Sequence, residues 1–309
     1  MGYMSGIRKR ITHCGKYGIR SEFIQVSYRP CTPTRPPTGR RRKSETSTPQ
    51  QRALNNKRSV RSLEALTLAN FGRGDLLIGL SYVTEHHPRD EAEAKREFGN
   101  FIRRINYRRK KKNLPSARWI AVTEISKKGR IHHHVIMDAA LDRDEVEAIW
   151  GRGYANIKRL KPDPKEGLLP VIGYIAKTFK EDSRPKGRRK WDCSKNLIRP
   201  WDSVNDNPRM MSGKKMRLMK DLPEDSERMR QIIEADNPCY ELINVEKEYR
   251  EETGGWYFFC RMKLSSKQVD DVDNARHTRE NEQENEICKR KVRHGNARAK
   301  PPPANTERR

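Results

Sequence analysis

The stretch RWIAVTEISKKGRIHHHVIMD, Arg118–Asp138, constrains the fold more than any other part of this chain. Two apolar, β-branched runs flank a short polar stretch that ends in glycine, the pattern of two antiparallel strands joined by a tight turn. A three-residue turn, Lys127-Lys128-Gly129, puts Gly129 at the left-handed position such turns want. That register sets Glu124 opposite His132 and Val122 opposite His134. A two-residue turn would shift the pairing by one and bring Glu124 to the His133 face; the position of the glycine favours the first register. Alternate side chains of a strand share a face. His132 and His134 therefore point one way with Glu124, and His133 points the other. Two imidazoles and an opposed carboxylate can hold one divalent ion. Histidines in strands are also commonly just satisfied polar residues.

The neighbouring elements follow in a regular order. DLLIGLSYV, Asp75–Val83, reads as a buried strand. PRDEAEAKREFGNFIRRINYRRKKK reads as a helix with Asp90 and Glu93 at capping-box spacing and an apolar stripe of Phe98, Phe101, Ile102 and Ile105. After the two strands, LDRDEVEAIWGRG is a short helix ended by glycine, and YANIKRL a strand. EGLLPVIGYIAKTFK is a helix with Pro170 in its first turn. The order β-α-β-β-α-β predicts an α+β, ferredoxin-like (split βαβ) antiparallel sheet with helices on one face. Helical spacing also marks SVRSLEALTLANF, and a further hairpin is expected from ADNPCYELINVEKEY and GGWYFFCRMKL.

Composition bounds the rest. Lys and Arg number 67 and Asp and Glu 41 in 309 residues, a formal charge of +26. Such a charge calls for an anionic partner, most commonly nucleic acid. Hydrophobic content of 33% is low for one globular unit of this length. It predicts one medium domain, residues 56–264, with polar extensions. Residues 1–55, basic and Pro-rich, and residues 265–309 are expected to be largely disordered. The six cysteines form no C-x-x-C pair, which argues against a zinc ribbon. No apolar run is long enough to span a bilayer and MGYMSGIRKRITHCGKYG has no signal-peptide core, so a cytoplasmic protein is expected. Basic clusters at Arg108, Arg109, Lys110, Lys111 and Lys112, at Arg188, Arg189 and Lys190, and in GKKMRLMK are candidate phosphate contacts. Trp191 and Trp201 flank a basic stretch; each is either a platform for unpaired bases or a core residue.

Tyr174 and Lys177 lie three residues apart and so share one helix face. Taken alone they are an ordinary rim tyrosine and a solvated lysine. Taken in order with the rest, they matter more. VTEISKKGRIHHHVIM followed some forty residues later by YIAK resembles the rolling-circle replication initiators of the HUH endonuclease superfamily, closest to the Rep proteins of plasmids and filamentous phages. The likeness runs from about Leu63 to Met262. It implies that His132, His134 and Glu124 are ligands of Mg2+ or Mn2+, that Tyr174 is the nucleophile, and that Lys177 assists it. It implies metal-dependent nicking and rejoining of single-stranded or hairpin origin DNA through a 5′-phosphotyrosine, leaving a 3′-OH that primes replication.

Two departures stand out. The middle position of the motif is usually bulky and hydrophobic, and here it is His133. Only one tyrosine lies in the catalytic helix, so termination needs water, a second protomer or another residue. A transposase or mobilisation relaxase with the same chemistry, and a non-enzymatic basic DNA-binding protein, stay open as alternatives. The charge argues against an iron oxygenase, whose two-His-one-carboxylate triad is chemically similar. No P-loop is present, so unwinding is expected from a host helicase.

Overall fold

A computed structural model describes residues 6–31, 48–126, 128–179, 189–206 and 211–266. The described residues up to Lys263 belong to one compact unit. Among the described residues it is a mixed α+β structure with two five-stranded antiparallel sheets and six α-helices. No described helix is long and apolar enough to cross a membrane.

The strands of the first sheet come from the two ends of the unit. β1 (Ile7–His13) and β2 (Phe23–Pro30) pair antiparallel. The full order is β8 (Trp201–Asn205), β1, β2, β10 (Gly255–Leu264), β9 (Tyr240–Arg250). β9 and β10 are neighbours, as the sequence predicts. The expectation of a disordered extension over residues 1–55 is corrected here: β2 is the central strand of this sheet, and Val26 and Tyr28 are fully buried. IRKRITH and FIQVSYRP carry the period-2 pattern of strands, but the Pro- and Arg-rich composition that follows them masks it. Residues 32–47, where that composition is concentrated, and the tail from 267 on lie outside the described residues. One face of the sheet is apolar. It packs on α5 (Gly213–Asp221) and α6 (Glu227–Ala235) through Val26, Tyr28, Met219, Met229, Ile233 and Phe258.

The second sheet has the order β6 (Ala155–Arg159), β3 (Leu76–Ser81), β5 (Ile131–Met137), β4 (Trp119–Ile125), β7 (Asp192–Cys193). α2 (Glu91–Lys111) begins where its cap predicts, with Asp90 accepting from the Glu93 N–H at 2.7 Å. α3 (Arg143–Trp150) is capped by Asp142 and ends at Gly151 with φ 60°. Both helices pack on one face of the sheet, where Phe98, Phe101, Val146 and Trp150 meet Ile78, Leu80, Ala121 and Val135.

The opposite face is covered as well, which corrects the expectation of helices on one face only. α1 (Pro49–Leu68) and α4 (Leu169–Ile175) bury Leu63, Leu66, Ile172 and Ile175 against Ile120, Val122 and Ile136. The reason is visible in the strands: consecutive residues such as Ile120-Ala121-Val122 are all apolar, so both faces require cover. α1 also serves the first sheet. Its Ala65 packs with Cys14, Phe23 and Ile243, and its Glu64 accepts two bonds from Arg261 of β10, each 2.9 Å long.

Candidate functional site: a strand pair facing a tyrosine

β4 and β5 pair in the register that the three-residue turn predicts. Glu124 lies opposite His132 and Val122 opposite His134. Ser126 and Arg130 close the turn, with the Ser126 N–H donating to the Arg130 carbonyl at 2.8 Å. Gly129 has φ +76°, a conformation that a side chain would strain. His132, His134 and Glu124 thus share the face that α4 covers further along the sheet. On β3 the residue beside His134 is Gly79 and the residue beside His132 is Ser81. A glycine there leaves the site face low next to His134.

Glu124 and His134 touch: Nε2 of the ring lies 2.8 Å from Oε2 of the carboxylate. Both are half-buried. His132 is half-buried too. Burial lowers its pKa, Glu124 opposing the shift, which favours the neutral ring that a ligand needs. Among the described residues no three His, Cys, Asp or Glu side chains converge as they stand to hold an ion. The donor set nevertheless fits one. Two neighbouring octahedral ligands at about 2.1 Å from a metal are about 3 Å apart, which is the spacing Glu124 and His134 already have.

α4 brings Tyr174 over this face. Its ring meets the His134 ring edge-on, with centroids 5.5 Å apart, and it remains 52% exposed. Lys177 lies beyond the α-helix, in a 3-10 turn over Lys177–Phe179. Its ammonium still sits 4.7 Å from the centre of the Tyr174 ring. Two segments, the β4–β5 pair and α4 with the turn that follows it, therefore gather Glu124, His134, Tyr174 and Lys177 at one end of the sheet, with His132 beside them.

His133 is accounted for by the other face. It is fully buried in an aromatic box of Tyr82, Phe98 and Trp150. Its Nε2 is 2.8 Å from the Tyr82 hydroxyl and its Nδ1 3.1 Å from the Thr123 hydroxyl. Burial pushes its pKa down to about 3, so the ring is neutral and offers one donor and one acceptor to the two hydroxyls. His133→Phe is expected to cost about 1–3 kcal/mol by taking the imidazole from the Tyr82 and Thr123 hydroxyls, the first of which keeps only a 3.4 Å bond to the Ala94 carbonyl. Adding Tyr82→Phe should recover part of that loss, a coupling that a double-mutant cycle in urea measures. Strictly additive losses would mean that the hydrogen bond contributes nothing.

The candidate phosphate contacts divide. Arg108 on α2 and Lys112 just past its end both pair with Glu145, while Lys110 and Lys111 are exposed. Arg109 is a correction: it is fully buried and grips Asp138, with Nη1 3.1 Å from Oδ2 and Nη2 3.0 Å from the carbonyl. The helix turns one residue of the basic run inward, where Asp138 pairs with its charge. Arg188 lies outside the described residues. Lys190 donates to the Phe179 carbonyl at 2.8 Å, and Arg189 is exposed.

A half-buried pair of imidazoles and a carboxylate thus lie on one face of an antiparallel sheet, with a tyrosine and a lysine above them. Residues 75–181 match the family model of Replication-associated protein ORF2/G2P, so this segment is similar to that replication family. The match runs from the start of β3 past the end of α4 and leaves the first sheet outside it. No curated protein and no solved structure matches the chain.

Proposed function

We propose that the chain initiates rolling-circle replication of a phage or plasmid, nicking single-stranded origin DNA with Tyr174 and rejoining it. The observation that carries this reading is the meeting of Glu124, His134 and Tyr174 at one sheet end, inside the segment that matches a replication family. The β6-β3-β5-β4 order, with α2 and α3 on one face, supports reading that segment as a ferredoxin-like core.

In this reading the Tyr174 oxygen attacks the scissile phosphorus and the 3′ oxygen of the preceding nucleotide leaves. The phosphate becomes a 5′-phosphotyrosine, and attack by the 3′-OH reverses the step. Lys177, beside the Tyr174 ring, sits close enough to neutralise charge on the phosphate. Glu124, His132 and His134 would hold Mg2+ or Mn2+, which when bound draws charge from the scissile phosphate. His133 keeps β5 in register from behind, and α4 holds the tyrosine ring against His134.

Incubation of the full chain with single-stranded origin DNA and Mn2+ is expected to give a covalent protein–DNA adduct at Tyr174, and EDTA is expected to prevent it. An adduct that forms equally with EDTA, or that maps to another residue, would overturn the reading.

A further inference from the structure

The first sheet has a second face, which α5 and α6 do not cover. Strand alternation puts Arg10 and Thr12 of β1, Ser27 and Arg29 of β2, and Phe259 of β10 on it. α1 crosses part of this face, and a crevice of about 510 Å3 opens between them. Six arginines line it against a single acid, Asp202. A neighbouring cavity of about 600 Å3 shares Arg58, Ser62, Trp191 and Arg199 with it and adds Arg189 and Lys190. Each has the size of a site for one small ligand. Joined through the shared residues they form a longer trough.

Some of this charge is committed. Arg10 pairs with Asp202, Arg61 with Glu246 and Arg250 with Glu248. Arg58 and Arg199 make no ion pair with any described residue and are exposed, Arg199 donating to the Cys193 sulfur at 3.8 Å, while Arg29 keeps an electrostatic interaction with Asp206. Aromatic rings alternate with the guanidinium groups. Arg61 stacks on Phe259 at 3.6 Å and Arg250 on Tyr257 at 4.1 Å, which holds these long side chains in place. Tyr257 and Trp191 are half-buried and line the trough. Phosphates answer the uncommitted arginines, and unpaired bases answer the rings. A duplex hides its base faces and cannot use the second half of this arrangement.

We propose that this trough, between α1 and the polar face of the first sheet, binds single-stranded DNA. Lys190 lines one part of it and bonds to the carbonyl of Phe179, two residues beyond Lys177. A strand lying in the trough therefore leads toward the end of the turn that carries Lys177. The proposal rests on the replication reading only for the choice of DNA over RNA; the binding itself needs no chemistry at Tyr174.

The test uses the full chain in EDTA, so that no nicking enters, and a labelled oligo(dT) of about twenty nucleotides, longer than one small binding site. Fluorescence anisotropy across a salt series is compared for wild type and the double variant Arg58→Glu/Arg199→Glu. Affinity is expected to fall about tenfold or more, and the log–log salt slope by at least about 1.4, from about 0.7 per lost phosphate contact on a single strand. Thermal melting of the variant checks that it folds. Unchanged affinity and slope in a folded variant would overturn the proposal, as would equal affinity and equal loss with a duplex of the same length. Ultraviolet cross-linking of the wild type to a bromodeoxyuridine oligonucleotide needs no variant. Adducts at Trp191 or Tyr257 support the trough, and adducts confined to the basic end of α2 or to α5 refute it.

Discussion

Tyr174→Phe is expected to abolish the covalent adduct and to lower strand cleavage on the order of a thousandfold or more, the scale on which losing a nucleophile falls. The substitution isolates the hydroxyl. Phenylalanine keeps the ring that packs edge-on against His134 and lies under Lys177. The ring is 52% exposed, and its hydroxyl has no hydrogen bond to any described residue, so nothing buried is stranded. Stability should therefore stay within about 0.5 kcal/mol of wild type. Binding of oligo(dT) in EDTA should be unchanged, because neither cavity of the trough includes Tyr174. Denaturing gel electrophoresis after incubation with labelled origin strand and Mn2+ reads the adduct directly. An undiminished adduct in the phenylalanine variant would remove Tyr174 from the reaction, whatever its position.

Arg109→Ala is expected to cost about 3 kcal/mol of folding stability, the lower end of what breaking a buried ion pair costs. The large effect comes from the partner left behind. Asp138 is 8% exposed and would keep its charge with less compensation. The lower end applies because the Arg118 guanidinium, 3.6 Å away, and the Arg118 N–H, at 3.3 Å, still face Asp138. Lys110→Ala, one residue along on the exposed side of α2, should change stability by less than about 0.5 kcal/mol. Urea denaturation of the two variants side by side decides it. Similar losses in both would mean that the helix, not the ion pair, is what the substitutions disturb.

These two residues show how far the sequence carries. Tyr174 and Lys177 are legible from helical spacing together with the histidine strand, even though Lys177 falls in a 3-10 turn. Three or four residues of either helix type bring them to the same side. Arg109 is not legible. RRKKK offers five cations in a row, and a helix must turn some of them toward the sheet, but which one finds a buried carboxylate depends on Asp138, at the end of β5. His133 is intermediate. Alternation predicts that it points away from the other two. Its two hydroxyl partners, on β4 and just beyond β3, come from segments that only the folded sheet brings together.

The first sheet went unread for a different reason. β1 and β2 each carry an alternating pattern and pair with each other, but their other neighbours, β8 and β10, begin only at Trp201 and Gly255. A strand pair whose remaining neighbours lie far along the chain looks like part of the polar segment that follows it. The trough on that sheet combines β1, β2 and α1 with residues from Trp191 onward, so no local run of residues announces it.

Local periodicity and one glycine thus determined the elements of residues 75–179, the register of β4 on β5, and the common face of Glu124, His132 and His134. Those are short-range facts, set by backbone geometry over a few residues. Tertiary structure alone decided that helices cover both faces of the second sheet, that Arg109 turns inward, and that the two ends of the unit close into a second sheet. Each of these depends on which distant surfaces bury one another, and burial is a property of the packed chain, which no short window of sequence carries.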